Sequence, residues 1–330
     1  MIVDSPDLPH RLFLQSMLAR NKYGVTGEGI TIAVIGTGFH AKMLELENMV
    51  EPVKVGHKKH DMIALNPEDD SQDTHDDVNA AVIHTIAPLA KLMNIRVASN
   101  ERGSTESRVV KAINLAVKHK KRYGTPNILN ISLGVKRTSP LSPSFVCDGT
   151  CSICEATNTA RRAGLLCVVS AGNHGGTPIR GPITCPGASR ETVTVGAVST
   201  EPIATGAEKG KYKVIVSPYS SWGPVQASWN KPNMVAPGTL PVRSRFTFPF
   251  PEYIPEVRLT STHSGTSFAT AFVSGAAALV MQKTDDIDLV KNSIYLSAED
   301  LGFSELAEGN GMLNVFEAVK FAERRRRHFE

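Results

Sequence analysis

Apolar runs, each bounded by turn formers, recur along this chain at Thr31–Ile35, Leu92–Val97, Ile128–Leu133, Leu165–Ser170 and Thr192–Val198. Continuous Val, Ile and Leu without polar alternation predicts strands covered on both faces. Between the runs the period changes. Val109, Val110, Ile113, Ala116 and Val117 keep to one side of a helix of about four turns, which closes on the basic stretch Lys118–Arg122. A second helix is predicted over Ser152–Ala163. A third starts at Asp76, with Val78, Ala81, Val82 and Ile86 on one side. A fourth, built from Ala269, Ala271, Val273, Gly275, Ala276, Ala277, Ala278, Leu279 and Val280, is small and apolar all round, so it reads as buried. Strands alternating with helices predict an α/β fold, a mostly parallel sheet with helices on both faces. The stretch Leu240–Glu256, rich in Pro and Phe, reads as a surface loop. No repeat or low-complexity linker divides the chain, so residues 1–330 are expected to form a single domain.

Composition changes this picture little. A chain of 330 residues can bury a large core. Hydrophobic content of 41% and charged content of 21% are ordinary for a globular enzyme. A net charge of +4 gives no reason to expect a nucleic-acid partner. The basic run Arg324–His328 is a local exception, expected as the solvated end of the last helix, where cations suit the dipole. No apolar segment is long enough to cross a bilayer, so no membrane span is expected. The N-terminus lacks the basic-then-apolar pattern of a secretory signal, so the chain is expected in the cytoplasm, or as a mature or excised domain. Of the five cysteines, Cys147, Cys151 and Cys154 form C-x3-C-x2-C. Such thiols can ligate a metal, but the spacing is not a common zinc pattern and no nearby His completes it. A disulfide or free thiols in a loop is the expected state, with no metal site. Cys167, in an apolar run, is expected to be plain core.

The chemistry gathers at a few turns. His263–Gly275 reads H-S-G-T-S-F-A-T-A-F-V-S-G and places Ser267 in the first turn of the buried helix. Free N–H groups and the positive end of the dipole can hold an oxyanion there. This segment resembles the serine motif of the subtilisin-like serine proteases, the subtilases (peptidase family S8), which runs G-T-S-x-A-x-P. Gly265, Thr266, Ser267 and Ala269 fit, and Ala271 replaces the proline. Upstream, His75 opens H-D-D-V-N-A-A-V-I-H-T-I-A-P-L-A-K-L, similar to the family's histidine motif, with Asp76 and Asp77 replacing Gly and Thr. Those two acids can form a solvated face or raise the pKa of His75 by proximity; the solvated face is the expectation. His84 is a rival base, but it lies mid-helix. In V-V-S-A-G-N-H-G-G, Ala171, Gly172 and Asn173 resemble the family's oxyanion motif, which implies Asn173 as an oxyanion donor. The resemblance further implies Ser132, Leu133 and Gly134 beside a specificity pocket, and Gly103, Ser104 and Thr105 as an edge on which peptide lies as an added strand. Lys231–Gly238 also resembles the family, with Asn233 where Asp is common, and so does the closing G-N-G-M-L-N-V-F-E-A-V segment.

One member is missing. The family's first core strand ends in V-I-D-[ST]-G, and here it reads V-I-G-T-G, with Gly36 in the place of the acid that orients the histidine. Three explanations stand open: an introduced Asp→Gly change that stops self-digestion, a natural pseudoprotease, or another carboxylate such as Asp69, Asp70 or Asp73 supplying the function. The resemblance runs from about residue 27 to 319. It implies a three-layer fold with a seven-stranded, mostly parallel sheet, and a serine endopeptidase that acts through an acyl-enzyme. Ser267 would be nucleophile and His75 base, with turnover strongly reduced by Gly36. The alternative is a pseudoprotease or peptide-binding scaffold. A nucleotide enzyme fits poorly, since no G-x-G-x-x-G or P-loop follows the first strand. Expected partners are a protein or peptide substrate and a prodomain or inhibitor in the cleft. No cofactor is required for the chemistry, and no acidic loop has the spacing of the calcium sites the family often carries.

Overall fold

The computed structural model describes residues 1–42, 44, 46–51, 64–65, 74–98, 104–135, 147–175, 183–225, 229–240 and 263–326. The strands are β1 (Ile2–Val3), β2 (Thr31–Gly36), β3 (Ala64–Leu65), β4 (Lys91–Arg96), β5 (Ile128–Ile131), β6 (Leu166–Ser170), β7 (Val193–Pro202), β8 (Tyr212–Val216), β9 (Gly223–Val225), β10 (Trp229–Lys231), β11 (Met234–Pro237), β12 (Thr239–Leu240) and β13 (His263–Ser264). The helices are α1 (Leu8–Tyr23), α2 (His75–Ile86), α3 (Glu106–Tyr123), α4 (Ser152–Arg162), α5 (Thr266–Met281), α6 (Ile287–Tyr295), α7 (Glu305–Glu308) and α8 (Val315–Arg326).

The predicted apolar runs become β2, β4, β5, β6 and β7, which pair in parallel in the order β4-β2-β5-β6-β7, and β11 adds to β7 in parallel. Among the described residues the main sheet has nine strands against the seven expected, because β3, β8 and β1 extend it antiparallel. Those additions are short or partly exposed, so they lack the continuous apolar signature that marks the interior strands.

Strand periodicity divides the core between two layers. Ile32 and Val34 of β2 join Leu166 and Val168 of β6 under α1, α2, α5 and α8. Ala33 and Ile35, with Cys167 and Val169, face α3 and α4 on the other side. Apolar all round, α5 is buried along its length except at its last residue, Met281, and packs on β5, β6, β7 and α2. Gly275 permits the approach of α2, since a Cβ there would stand 2.8 Å from Cβ of Ile86.

Helix α1 is absent from the periodicity reading. Its apolar contacts Leu8, Leu12, Phe13 and Ala19 are diluted by polar residues. Its end signals are nonetheless in the sequence: Asp7 accepts from the His10 N–H at 2.9 Å, Pro9 lies in the first turn, and Gly24 closes the helix at φ 63°. Arg324–Arg326 end α8 as expected; the rest of that basic run, and most of the Leu240–Glu256 stretch, lie outside the described residues.

Candidate active site

Because β2, β5 and β6 are parallel neighbours, their C-terminal ends deliver Gly36, Ser132 and Ala171–Asn173 to one edge of the sheet. Helices α2 and α5 pack together and begin at the same edge, at His75 and Thr266. The His75 ring lies against Phe268, the residue after Ser267, with centroids 5.6 Å apart. Ser267 is 7% exposed. Its hydroxyl donates to the carbonyl of Ser132 at 2.9 Å, and the Ser132 hydroxyl donates to the carbonyl of Ser267 at 3.1 Å. Asn173 is exposed. Its side-chain oxygen accepts from the N–H and hydroxyl of Thr266, both at 2.9 Å, so the amide NH₂ is the end left for another acceptor.

The two acids after His75 do not form a solvated face. Asp76 and Asp77 are both fully buried. Both reach back to the loop after β2. The N–H of Gly38 donates to Asp76 Oδ2 at 3.0 Å, and the N–H of His40 donates to Asp77 Oδ1 at 2.6 Å. His40 Nδ1 lies 2.9 Å from Asp77 Oδ2. Carboxylates in the first turn of a helix sit at the positive end of its dipole, and the turning loop supplies donors, so burial is tolerated.

Asp76 does more than fasten the loop. Its Oδ1 lies 3.0 Å from Nδ1 of His75 and accepts from the Asn79 amide at 3.0 Å. The carboxylate occupies the space next to Gly36: a Cβ built there would lie 2.8 Å from Oδ1 and 2.9 Å from Cγ, with Oδ2 nearer still. A buried carboxylate hydrogen-bonded to Nδ1 of a histidine whose neighbouring helix presents a serine is the electrostatic arrangement of acyl-transfer sites.

The Subtilase family model of peptidase S8 matches residues 27–301. The chain belongs to the subtilase family.

Among relatives, the serine protease AprX of Bacillus subtilis is 27% identical over 301 residues. That match covers 83% of this chain, which spans 63% of the length of AprX. Subtilisin DY of Bacillus licheniformis is 25% identical, with 90% of this chain and 93% of the relative covered. The fold is similar to that of a lanthipeptide protease (TM-score 0.68, 20% identity, 94% and 93% of the two chains covered). It is also similar to that of the prenylagaramide maturation protease PagA (TM-score 0.61, 19% identity, 96% and 98% covered). The family is one of serine proteases.

The remaining site residues of this subtilase fall into place unevenly. Gly36, His75, Ser132, Asn173 and Ser267 come together. Ala171 and Gly172 hold the strand end, through Ala171 N–H to the Val195 carbonyl at 2.9 Å and Gly172 N–H to the Thr266 hydroxyl at 3.2 Å. Leu133 is half-buried against the core beneath α3 and α4, and a Cβ on Gly134 would run into Thr184. Thr105 caps α3 and Ser104 donates to the Val97 carbonyl at 3.0 Å, both fold-forming roles. Gly103, Asp69, Asp70 and Asp73 lie outside the described residues. His84, the rival base, is lowered to about 4 by burial first and then by the Arg20 charge.

Asn130 and Asn79 are absent from the sequence analysis, and Thr266 enters it only as a motif match. Asn130 donates to the Ser132 hydroxyl at 2.9 Å and accepts from Ser274 of α5 at 2.9 Å, which ties β5 to the serine helix. A polar residue inside an apolar run was the available signal, since a buried amide must find partners.

Burial alone raises the Asp76 carboxyl, but the hydrogen bond and charge of His75, the Asn79 amide and the Gly38 N–H outweigh it and hold the group below its ordinary value. A depressed carboxyl contributes stability above its unfolded pKa of about 3.9, and that contribution is lost as pH falls through the folded value. We expect the stability difference between the unaltered chain and Asp76→Asn, measured by urea unfolding, to shrink as pH falls below about 4 and the carboxylate takes up its proton. A difference that keeps growing below about pH 4 would contradict this assignment. Asp77 moves the other way: burial raises it despite its bonds to His40.

Proposed function

We propose that this chain is a subtilisin-type serine endopeptidase that hydrolyses peptide bonds through an acyl-enzyme on Ser267, with Asp76 supplying the carboxylate that position 36 lacks. The observation that carries this reading is the contact of Asp76 Oδ1 with His75 Nδ1 at 3.0 Å, made by a buried carboxylate packed into the space a side chain at Gly36 would need. On this reading Gly36 does not cripple the chain. It makes room for an acid that has moved from the end of β2 to the first turn of α2.

The steps follow from the groups in place. His75 donates Nδ1–H to Asp76, which leaves Nε2 as the base. Ser267 Oγ turns from the Ser132 carbonyl, gives its proton to Nε2 and bonds to the scissile carbonyl carbon. The oxygen of that carbonyl takes the negative charge, held by the Ser267 N–H and the Asn173 NH₂. Nε2 returns the proton to the amine as the C–N bond breaks. Water then repeats the sequence on the ester and frees Ser267. Asp76 stays ionised throughout and stabilises the imidazolium. The segments Ser132–Gly134 and Ala171–Gly172 would flank the substrate, with Gly103–Thr105 as the opposite edge. A prodomain or inhibitor would use the same cleft.

A second reading, a peptide-binding scaffold with little turnover, has one observation in its favour: the Ser267 hydroxyl is engaged with Ser132. A fluorophosphonate probe separates the two. We expect the unaltered protein to be labelled at Ser267, mapped by peptide mass. A folded chain that takes no label over hours, while a subtilisin control is labelled, would leave only the scaffold.

A further inference from the structure

A second cluster of reactive side chains lies away from the catalytic residues. Sγ atoms of Cys147, Cys151, Cys154 and Cys185 all lie within 4.8 Å of one another. Cys147 and Cys154 are 4.0 Å apart, and Cys151 and Cys154 are 3.4 Å apart. All are free thiols, one of the two states expected from the sequence. Cys147, Cys154 and Cys185 are buried, and Cys151 is half-buried. From the sequence alone no metal is expected, since the C-x3-C-x2-C spacing is not a common zinc pattern and no nearby His completes it. The fourth group is instead Cys185, brought in from a distant segment by its pairing with Val135.

We propose that these four cysteines bind one zinc ion as a closed, tetrahedral, structural site. Zinc–sulfur bonds of about 2.3 Å in a tetrahedron place the sulfurs about 3.8 Å apart, which lies between the two separations above. Binding takes Zn²⁺ and four thiols to a tetrathiolate centre of charge −2 and releases four protons. The surroundings suit that charge. Cys151 is the N-cap of α4 and Cys154 lies in its first turn, at the positive end of the dipole. The N–H of Gly149 donates to Sγ of Cys147 at 3.4 Å. With all four positions taken by protein, the ion has none open for substrate, so its role is to staple.

What it staples bears on the cleft. Val135 and Cys185 exchange N–H···O bonds at 2.9 and 3.1 Å, and the Thr184 N–H donates to the Ala171 carbonyl at 2.9 Å. The segment held by Cys185 is therefore bonded both to the stretch that follows Ser132–Gly134 and to the strand end that precedes Asn173. Removing the ion would loosen both walls without touching His75 or Ser267.

The test is the metal content of the full chain, purified with reductant, exposed to zinc and dialysed. We expect about one zinc per chain by plasma mass spectrometry, near zero in Cys154→Ser and Cys185→Ser, and unchanged in Cys167→Ser, whose thiol lies apart in β6. Cobalt in place of zinc should give the intense visible bands of tetrahedral thiolate coordination. That readout needs only the unaltered protein, should the serine variants fail to fold. Chelation should lower the melting temperature of the unaltered chain and of Ser267→Ala alike, which keeps the result independent of catalysis. Folded, reduced protein that holds less than about a tenth of an equivalent of zinc overturns the proposal. So does a native mass showing two disulfides among these cysteines, or iron with inorganic sulfide in place of zinc.

Discussion

Asp76→Gly is expected to lower kcat by about 10⁴, the scale on which serine proteases lose turnover when the orienting carboxylate is removed, and Gly36→Asp is expected not to help the unaltered chain but to harm it. The second half reverses what the linear motif suggests. Reading V-I-G-T-G against the family pattern, one would restore the acid at position 36 and look for a gain of several orders of magnitude. In the fold that site is occupied: a Cβ on Gly36 would meet Cγ of Asp76 at 2.9 Å, and a second carboxylate there would add like-charge repulsion. The two positions should therefore couple strongly. Gly36→Asp with Asp76→Gly returns the acid to the end of β2 and is expected to recover about two orders of magnitude or more over Asp76→Gly alone. Asp76→Asn keeps the shape and should fail like Asp76→Gly, because the amide cannot play the carboxylate's part beside His75. Rates on a chromogenic peptide, with circular dichroism as a check on folding, measure the full square. Asp76→Gly at undiminished turnover would remove Asp76 from the mechanism.

Ser267→Ala is expected to cost about 10⁶ in kcat and to abolish fluorophosphonate labelling, while leaving peptide binding in place. The Ser267 hydroxyl contributes one bond to Ser132 in the resting protein, so its loss should disturb the fold little. Because nucleophile, base and acid act as a unit, Ser267→Ala combined with Asp76→Gly should be scarcely slower than Ser267→Ala alone. Equal turnover in Ser267→Ala and the unaltered chain would show that hydrolysis in the preparation comes from elsewhere.

Much of this was legible in the chain. Continuous apolar runs gave the parallel strands, and a helix without a polar face gave α5, because burial on both sides leaves a mark that does not depend on partners. The resemblance of the segments around His75, Asn173 and Ser267 to family motifs gave the candidate site. Other features resisted for stated reasons. Helix α1 was lost because its buried stripe is thin. The edge strands were lost because they are short or partly exposed and carry no continuous apolar run. Asn130 and Asn79 were passed over because an amide's importance lies in what it bonds across space.

The sequence by itself determined the α/β class and the strands that carry the candidate site, which rest on local composition and spacing, while the resemblance of its motifs to the subtilases implied Ser267 as nucleophile and His75 as base. Only the tertiary structure showed which carboxylate lies beside His75 and which cysteines lie together. Asp76 reads as a surface charge until the loop after β2 folds over it and supplies the Gly38 N–H. Cys185 reads as a lone core thiol until its pairing with Val135 brings it to the other three. In both cases the deciding quantity is a distance between groups far apart along the chain, which packing sets and residue order does not record.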